Sequence, residues 1–138
     1  MTTKIHTTSN PGNIFNPQPF GFSHVAQVPA NAKIIYIAGQ GGESDTQGTL
    51  SNDFRTQVAC ALQNLRTALQ SAGADLQHIA KLTTLVVDHS QEKLQIIIEE
   101  WKKAWPDELY PVNTLIPVPR LALDGMLVEI DATAVVTA

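Results

Sequence analysis

The sequence predicts an α+β domain in which one mixed sheet carries two helices on a single face, and three observations lead there. Two stretches, Phe54 to Ala72 and Leu94 to Trp105, repeat apolar residues at steps of three and four. Around them lie runs rich in β-branched residues, notably Lys33–Ala38, Leu76–Val87, Pro111–Val118 and Met126–Val136. A length of 138 residues suits one domain spanning 1–138.

Residues 1–20 form an N-terminal strand and loop extension in this reading. Pro11, Gly12, Pro17, Pro19 and Gly21 make residues 7–23 a surface loop, because proline removes backbone donors and restricts the residue before it. Val25–Val28 and Lys33–Ala38 flank Pro29-Ala30-Asn31 and predict a hairpin. Gly39 to Gly48 is rich in turn formers and predicts a mobile loop. Ser51, Asn52 and Asp53 offer capping oxygens to a helix whose stripe runs Phe54, Val58, Ala61, Leu62, Leu65, Ala68, Leu69 and Ala72, and Gly73 ends it. A strand follows over Leu76–Val87. The second helix starts near Ser90, carries Leu94, Ile97, Ile98, Trp101 and Trp105 on one stripe, and stops at Pro106. Both tryptophans should face the sheet. Pro111–Val118 reads as a strand at an edge, since Pro117 cannot donate within a central ladder. The last strand alternates: Met126, Val128, Ile130, Ala132, Ala134 and Val136 share one face, while Leu127, Glu129, Asp131, Thr133 and Val135 share the other. A sheet covered by helices on one face leaves its second face to water or to another subunit, so self-association across it is expected.

Composition narrows the function. A formal charge of −4, from 13 acidic and 9 basic residues, provides no positive field to gather phosphates, so nucleic acid is not an expected partner. Cys60 is the only cysteine, which excludes an internal disulfide and fits a reducing compartment such as the cytoplasm. The polar start and the absence of any run of about 18 apolar residues predict a soluble, unprocessed protein with no membrane association. His6, His24, His78 and His89 show no close pairing, and no metal or cofactor is expected.

Six segments then carry a resemblance: Gly21-Phe22-Ser23-His24-Val25, Ile37-Ala38-Gly39-Gln40, Gln57 with Leu62-Gln63-Asn64-Leu65, Ala72-Gly73-Ala74, Pro111-Val112-Asn113-Thr114 and Val128-Glu129-Ile130-Asp131-Ala132. In order and spacing they resemble the RidA, or YjgF-like reactive intermediate deaminase, family, which also carries the label endoribonuclease L-PSP. The match covers about residues 20 to 136. The resemblance implies a chorismate-mutase-like α+β fold and a homotrimer whose sheets form a central barrel with helices outside. It also implies small-molecule clefts between subunits that hydrolyse enamines and imines such as 2-aminoacrylate. The site depends on an arginine in a Pro-Ala-Arg-Ser-like motif, and here Asn113 occupies that position. A guanidinium fork binds a carboxylate through two charge-assisted bonds, whereas a neutral amide brings weaker donors and no charge. Phe22 replaces a common tyrosine, Ala38 a common serine, and Ile98 an asparagine, while Glu129 matches the family's acidic residue.

Candidate roles follow. Glu129 would guide water in a partly enclosed cleft where desolvation raises a carboxyl pKa, or it is a solvated carboxylate on a sheet face. Asn113 would orient a carbonyl or water, or bond neighbouring backbone. Phe22, His24, Ala38, Gly39 and Ile98 are the expected substrate-binding wall. His24 has a competing structural role. Arg120 is the nearest cation in sequence to the altered motif, with a solvated loop position as its alternative. Gly39-Gln40-Gly41-Gly42 lacks the Lys-Ser or Lys-Thr of a phosphate cradle, and Lys102-Lys103 is too short for a phosphate track. An enamine or imine hydrolase for an uncharged substrate is therefore the leading reading. A non-catalytic ligand-binding or interaction protein is the alternative, and an endoribonuclease is remote.

Overall fold

In a computed structural model, residues 3–138 are described. The elements are β1 (Thr7–Ser9), a 3₁₀ turn (Gln18–Phe20), β2 (Val25–Gln27), β3 (Ala32–Gly41), α1 (Phe54–Ser71), a second 3₁₀ turn (Leu76–His78), β4 (Ile79–Val87), α2 (Gln91–Ala104), β5 (Val112–Val118) and β6 (Val128–Thr137). Four strands form one sheet in the order β3-β6-β4-β5, in which β6 is antiparallel to both neighbours and β5 is parallel to β4. The two crossovers, β3-α1-β4 and β4-α2-β5, place both helices on one face as the patterning predicts.

The helices begin where their sequences supply acceptors. Asp53 accepts from Thr56 N at 3.0 Å, and Ser90 accepts from Lys93 N at 3.1 Å. Between helices and sheet lies a core built from Val58, Leu65 and Leu69 of α1, Leu82 and Val86 of β4, Trp101 of α2, and Val128 and Ile130 of β6. Trp105 also faces inward and donates through Nε1 to Leu76 O at 3.2 Å. Pro117 occupies β5, an edge strand, where a missing donor leaves no central ladder bond broken.

Two expectations are corrected. Val25–Gln27 does not form a hairpin with β3; it pairs antiparallel with β1, in the register Thr8 opposite Ala26. Asn10 explains this choice, since its Oδ1 accepts from His24 N at 2.8 Å and brings the two short strands together. Residues 39–48 are not a free loop either. β3 continues to Gly41, Asn64 Nδ2 donates to Gly41 O and Glu43 O, and the Asp45 carboxylate accepts from the Gln47 and Thr49 amides. Among the described residues no helix is long and apolar enough to cross a membrane.

Gln57 is a fully buried amide inside the α1 stripe. Its Nε2 donates to Ser51 O at 2.7 Å and Gly125 O at 2.8 Å, while its Oε1 accepts from Leu127 N at 2.9 Å. One side chain thus ties the entry of α1 to the entry of β6. Gly42 allows the approach, because a Cβ there would lie 2.6 Å from Gln57 Cα. Gln57→Leu leaves these backbone groups unpaired and should lower stability by about 3 kcal/mol, read by urea denaturation.

His6 is buried beside His78, and its Nδ1 has no partner among the described residues. Burial, with the nearby charges of Lys4 and His78, lowers its pKa from 6.5 to about 4. As pH falls, the unfolded chain takes this proton before the folded one does. The stability His6 contributes is therefore full above pH 6.5 and is lost as pH falls toward about 4. Over that window His6→Leu should show a shallower loss of denaturation midpoint than the wild type.

Candidate functional site

The alternation of β6 decides where Glu129 goes. Val128 and Ile130 are completely buried against the helices, so Glu129 between them points to the opposite, open face. It sits across from Leu85 of β4 and Gly41 of β3. Between Ile37 and Gln40 the β3–β6 register shifts by a bulge, so that Ala38 and Gly39 together span the position facing Asp131. The Glu129 side chain lies over Gly39 there, and a Cβ at Gly39 would land on its carboxylate. Gly39, Thr83, Leu85, Glu129 and Asp131 enclose a depression of about 80 Å³, a size for water rather than for a substrate.

Asn113 lies on the other face. It pairs in register with Leu82, a core residue, and its Oδ1 accepts from the Thr84 hydroxyl at 3.0 Å. That bond leaves the amide Nδ2 as the group available for a ligand, because among the described residues it has no protein acceptor and it is not sealed from solvent. The surrounding cavity of about 360 Å³ is lined by Phe15, Phe20, Phe22, Leu94, Ile97, Asn113, Thr114 and Leu115. Among the described residues no charged side chain lines it.

A folded N-terminal segment builds the aromatic wall. Gly21, with φ of 78°, closes the first 3₁₀ turn, and a Cβ there would lie 3.6 Å from Trp101 Cδ1, so the turn sits close over that ring. Ser23 N donates to Pro111 O at 3.1 Å, its Oγ donates to Tyr110 O at 2.7 Å, and a parallel bridge joins Ser23 to Val112. This brings Phe22 alongside Asn113. His24 Nε2 bonds Phe15 O, and the Phe15 and Phe20 rings stand 5.1 Å apart.

Of the residues singled out by sequence, only Phe22 and Asn113 share this cavity. Glu129 and Gly39 share the depression on the opposite face, with Ala38 beside them in the bulge. His24 stacks edge-on against Phe22 and lines a third hollow with Val25, Val28 and Lys81. Ile98 is buried and does not line the cavity, and Ile97 and Leu94 take the lining role. Arg120 turns into its own loop, bonding Leu121 O at 3.2 Å and Asp124 at 2.9 Å, and lines neither space. Phe15, Phe20 and Thr84 were not anticipated. Two aromatic rings inside an otherwise polar, proline-rich segment were the available signal for the first pair.

Taken together, the fold and the sites define a small α+β domain with an uncharged aromatic cavity on one face of its sheet and a carboxylate on the other. The endoribonuclease L-PSP family model matches residues 18–136, and the chain belongs to that family, the RidA/YjgF group. It is 32% identical to YyfB, a Rid family protein of unknown function from Yersinia pestis; the superposition covers 94% of this chain and 98% of that one at a TM-score of 0.87. It is also 30% identical to a RutC family protein of Aquifex aeolicus and 27% identical to one of Pyrococcus abyssi, over 86% of this chain and 92% and 89% of theirs.

The Ser23 bonds make a structural expectation for the wall. Ser23→Ala should cost about 1 kcal/mol of stability and raise amide hydrogen exchange across residues 15–24, with exchange in α1 unchanged.

Proposed function

We propose that the protein is a cytoplasmic homotrimer that hydrolyses a small uncharged enamine or imine to a carbonyl compound and ammonia in clefts between subunits. The observation that carries this reading is that Glu129 and Asn113 occupy opposite faces of one sheet. A cleft using both takes Asn113 from one chain and Glu129 from its neighbour. Family membership supports such an assembly, and so do the apolar side chains left on the open face: Ile34, Tyr36 and Ile116 are 49, 78 and 43% exposed.

In the proposed reaction an enamine takes a proton on carbon and gives one up from nitrogen to become the imine, and water adds to the C=N carbon. The Glu129 carboxylate accepts the proton of that water and returns it to nitrogen. The carbinolamine hydroxyl then passes its proton to nitrogen through Glu129, the C–N bond breaks, and ammonia leaves as the carbonyl forms. Asn113 Nδ2 would hold an acceptor atom of the substrate. A carboxylate on the substrate would meet no cation in the aromatic cavity, and burying an unpaired charge there is costly.

A second reading, non-catalytic ligand binding, is favoured by the missing cation alone. One experiment separates the two: ammonia release from an uncharged imine and from freshly generated 2-aminoacrylate. The uncharged imine should be hydrolysed, Glu129→Gln should slow it roughly 100-fold, and 2-aminoacrylate should react poorly. No release from either substrate selects the binding reading. Efficient hydrolysis of 2-aminoacrylate refutes the argument from Asn113, and a monomer by light scattering at micromolar concentration removes the shared cleft.

A further inference from the structure

Phe15 and Phe20 stand out among the described residues because they are large aromatic side chains, 62% and 41% exposed, held beside a cavity rather than dispersed on the surface. They are not held by chance packing. His24 fixes Phe15 through its backbone carbonyl, the Phe20 amide donates to Pro17 O at 2.8 Å, and Gly21 seats the turn on Trp101. Leu94 and Ile97 of α2, with Leu115 of β5, complete the apolar lining. The one polar amide side chain in that lining is Asn113, and it is not free to choose its orientation. The Thr84 hydroxyl, completely buried, donates to Oδ1 and commits the NH₂ end to the ligand.

From this geometry we infer that the loop carrying Phe15 and Phe20 is a specificity wall. It selects an uncharged molecule that has an aryl or branched alkyl group and one hydrogen-bond acceptor within reach of Asn113 Nδ2. The inference deepens the proposed cleft and rests on that reading for the cavity being a ligand site. Three features converge on the same occupant. A cavity of about 360 Å³ lies in the range of small-molecule sites. Aromatic faces reward an apolar group of similar shape, and a lone oriented donor asks for a carbonyl or imine acceptor. A small polar substrate leaves the wall unfilled, whereas an anionic one desolvates its charge against Phe15, Phe20 and Phe22 with no counter-ion.

Ketones do not turn over in this reaction, so they report binding apart from catalysis. Phenylacetone, acetone and phenylpyruvate would be titrated into the full chain and followed by ligand-observed NMR. Phenylacetone should bind at least about tenfold more tightly than acetone, through burial of its ring. Phenylpyruvate should bind no better than phenylacetone. Phe15→Ala and Phe20→Ala, at exposed positions the core does not need, should each weaken phenylacetone about fivefold and leave acetone unchanged. Asn113→Asp removes the donor and should weaken phenylacetone about tenfold, and Asn113→Arg should reverse the preference toward phenylpyruvate. Equal binding of acetone and phenylacetone, or full affinity in both phenylalanine variants, overturns the inference; so does tighter binding of phenylpyruvate to the wild type. If aryl selectivity persists while no imine releases ammonia, the hydrolase reading fails and the specificity wall stands.

Discussion

Because β6 runs between β3 and β4, every residue it contributes is assigned by alternation to the helical core or to the open face, and no local adjustment can change that assignment. Slipping the strand by one residue would expose Val128, Ile130 and Ala134 and bury Glu129 and Asp131 among the helices. The cost of burying two carboxylates holds the register as firmly as the gain from burying the aliphatic side chains. Gln57 enforces the same register from outside the sheet, since it binds Gly125 O and Leu127 N just ahead of the strand. The bulge at Ala38 and Gly39 then lets β3 pass the Glu129 side chain without a collision.

This constraint explains why the two chemically distinctive side chains do not meet. β5 pairs with β4 so that Asn113 shares the face of Leu82 and Thr84, whereas Glu129 shares the face of Thr83 and Leu85. In a sheet one residue thick, no rotamer carries either side chain through to the other. A site that uses both must be assembled from two chains, and a site within one chain must use the aromatic cavity without the carboxylate. The division of labour is a property of strand parity.

Much of the fold was legible because its signals are periodic. The stripes of α1 and α2 and the alternation from Val128 to Ala134 reflect burial on one side, which the structure shows, although Val135 on the other face is buried as well and Ala72 at the end of the α1 stripe is exposed. The N-terminal region was less legible for a physical reason. β1 and β2 have three residues each, too few for a period, and their pairing rests on a single asparagine side chain ten residues into the chain. Ile97 and Ile98 show the same limit on a helix. They are adjacent on one stripe; Ile97 lines the cavity, while Ile98 lies near Gly21, 77 residues away in sequence, an arrangement no local pattern encodes. Glu129 and Asn113 were singled out through the family resemblance, but their separation across the sheet emerges only from strand pairing.

Replacing a cation by Asn113 alters more than the strength of one contact. The chain has more acidic than basic residues, and Glu129 and Asp131 sit two positions apart on the open face, so their carboxylates face the same space. With an arginine opposite them, a shared cleft would present an anion with an attractive partner at one end. With an amide there, the net field of the proposed cleft would repel an anion, and the desolvation cost of the aromatic wall would add to that repulsion. Adding a hydrogen bond from Asn113 does not restore the balance, because a neutral donor contributes less than the buried charge costs. An uncharged ligand in the proposed cleft would escape both penalties and could still use the donor that Thr84 holds in place. In that reading the apolar lining from Phe15, Phe20 and Phe22 and the absent cation favour the same uncharged class of ligand.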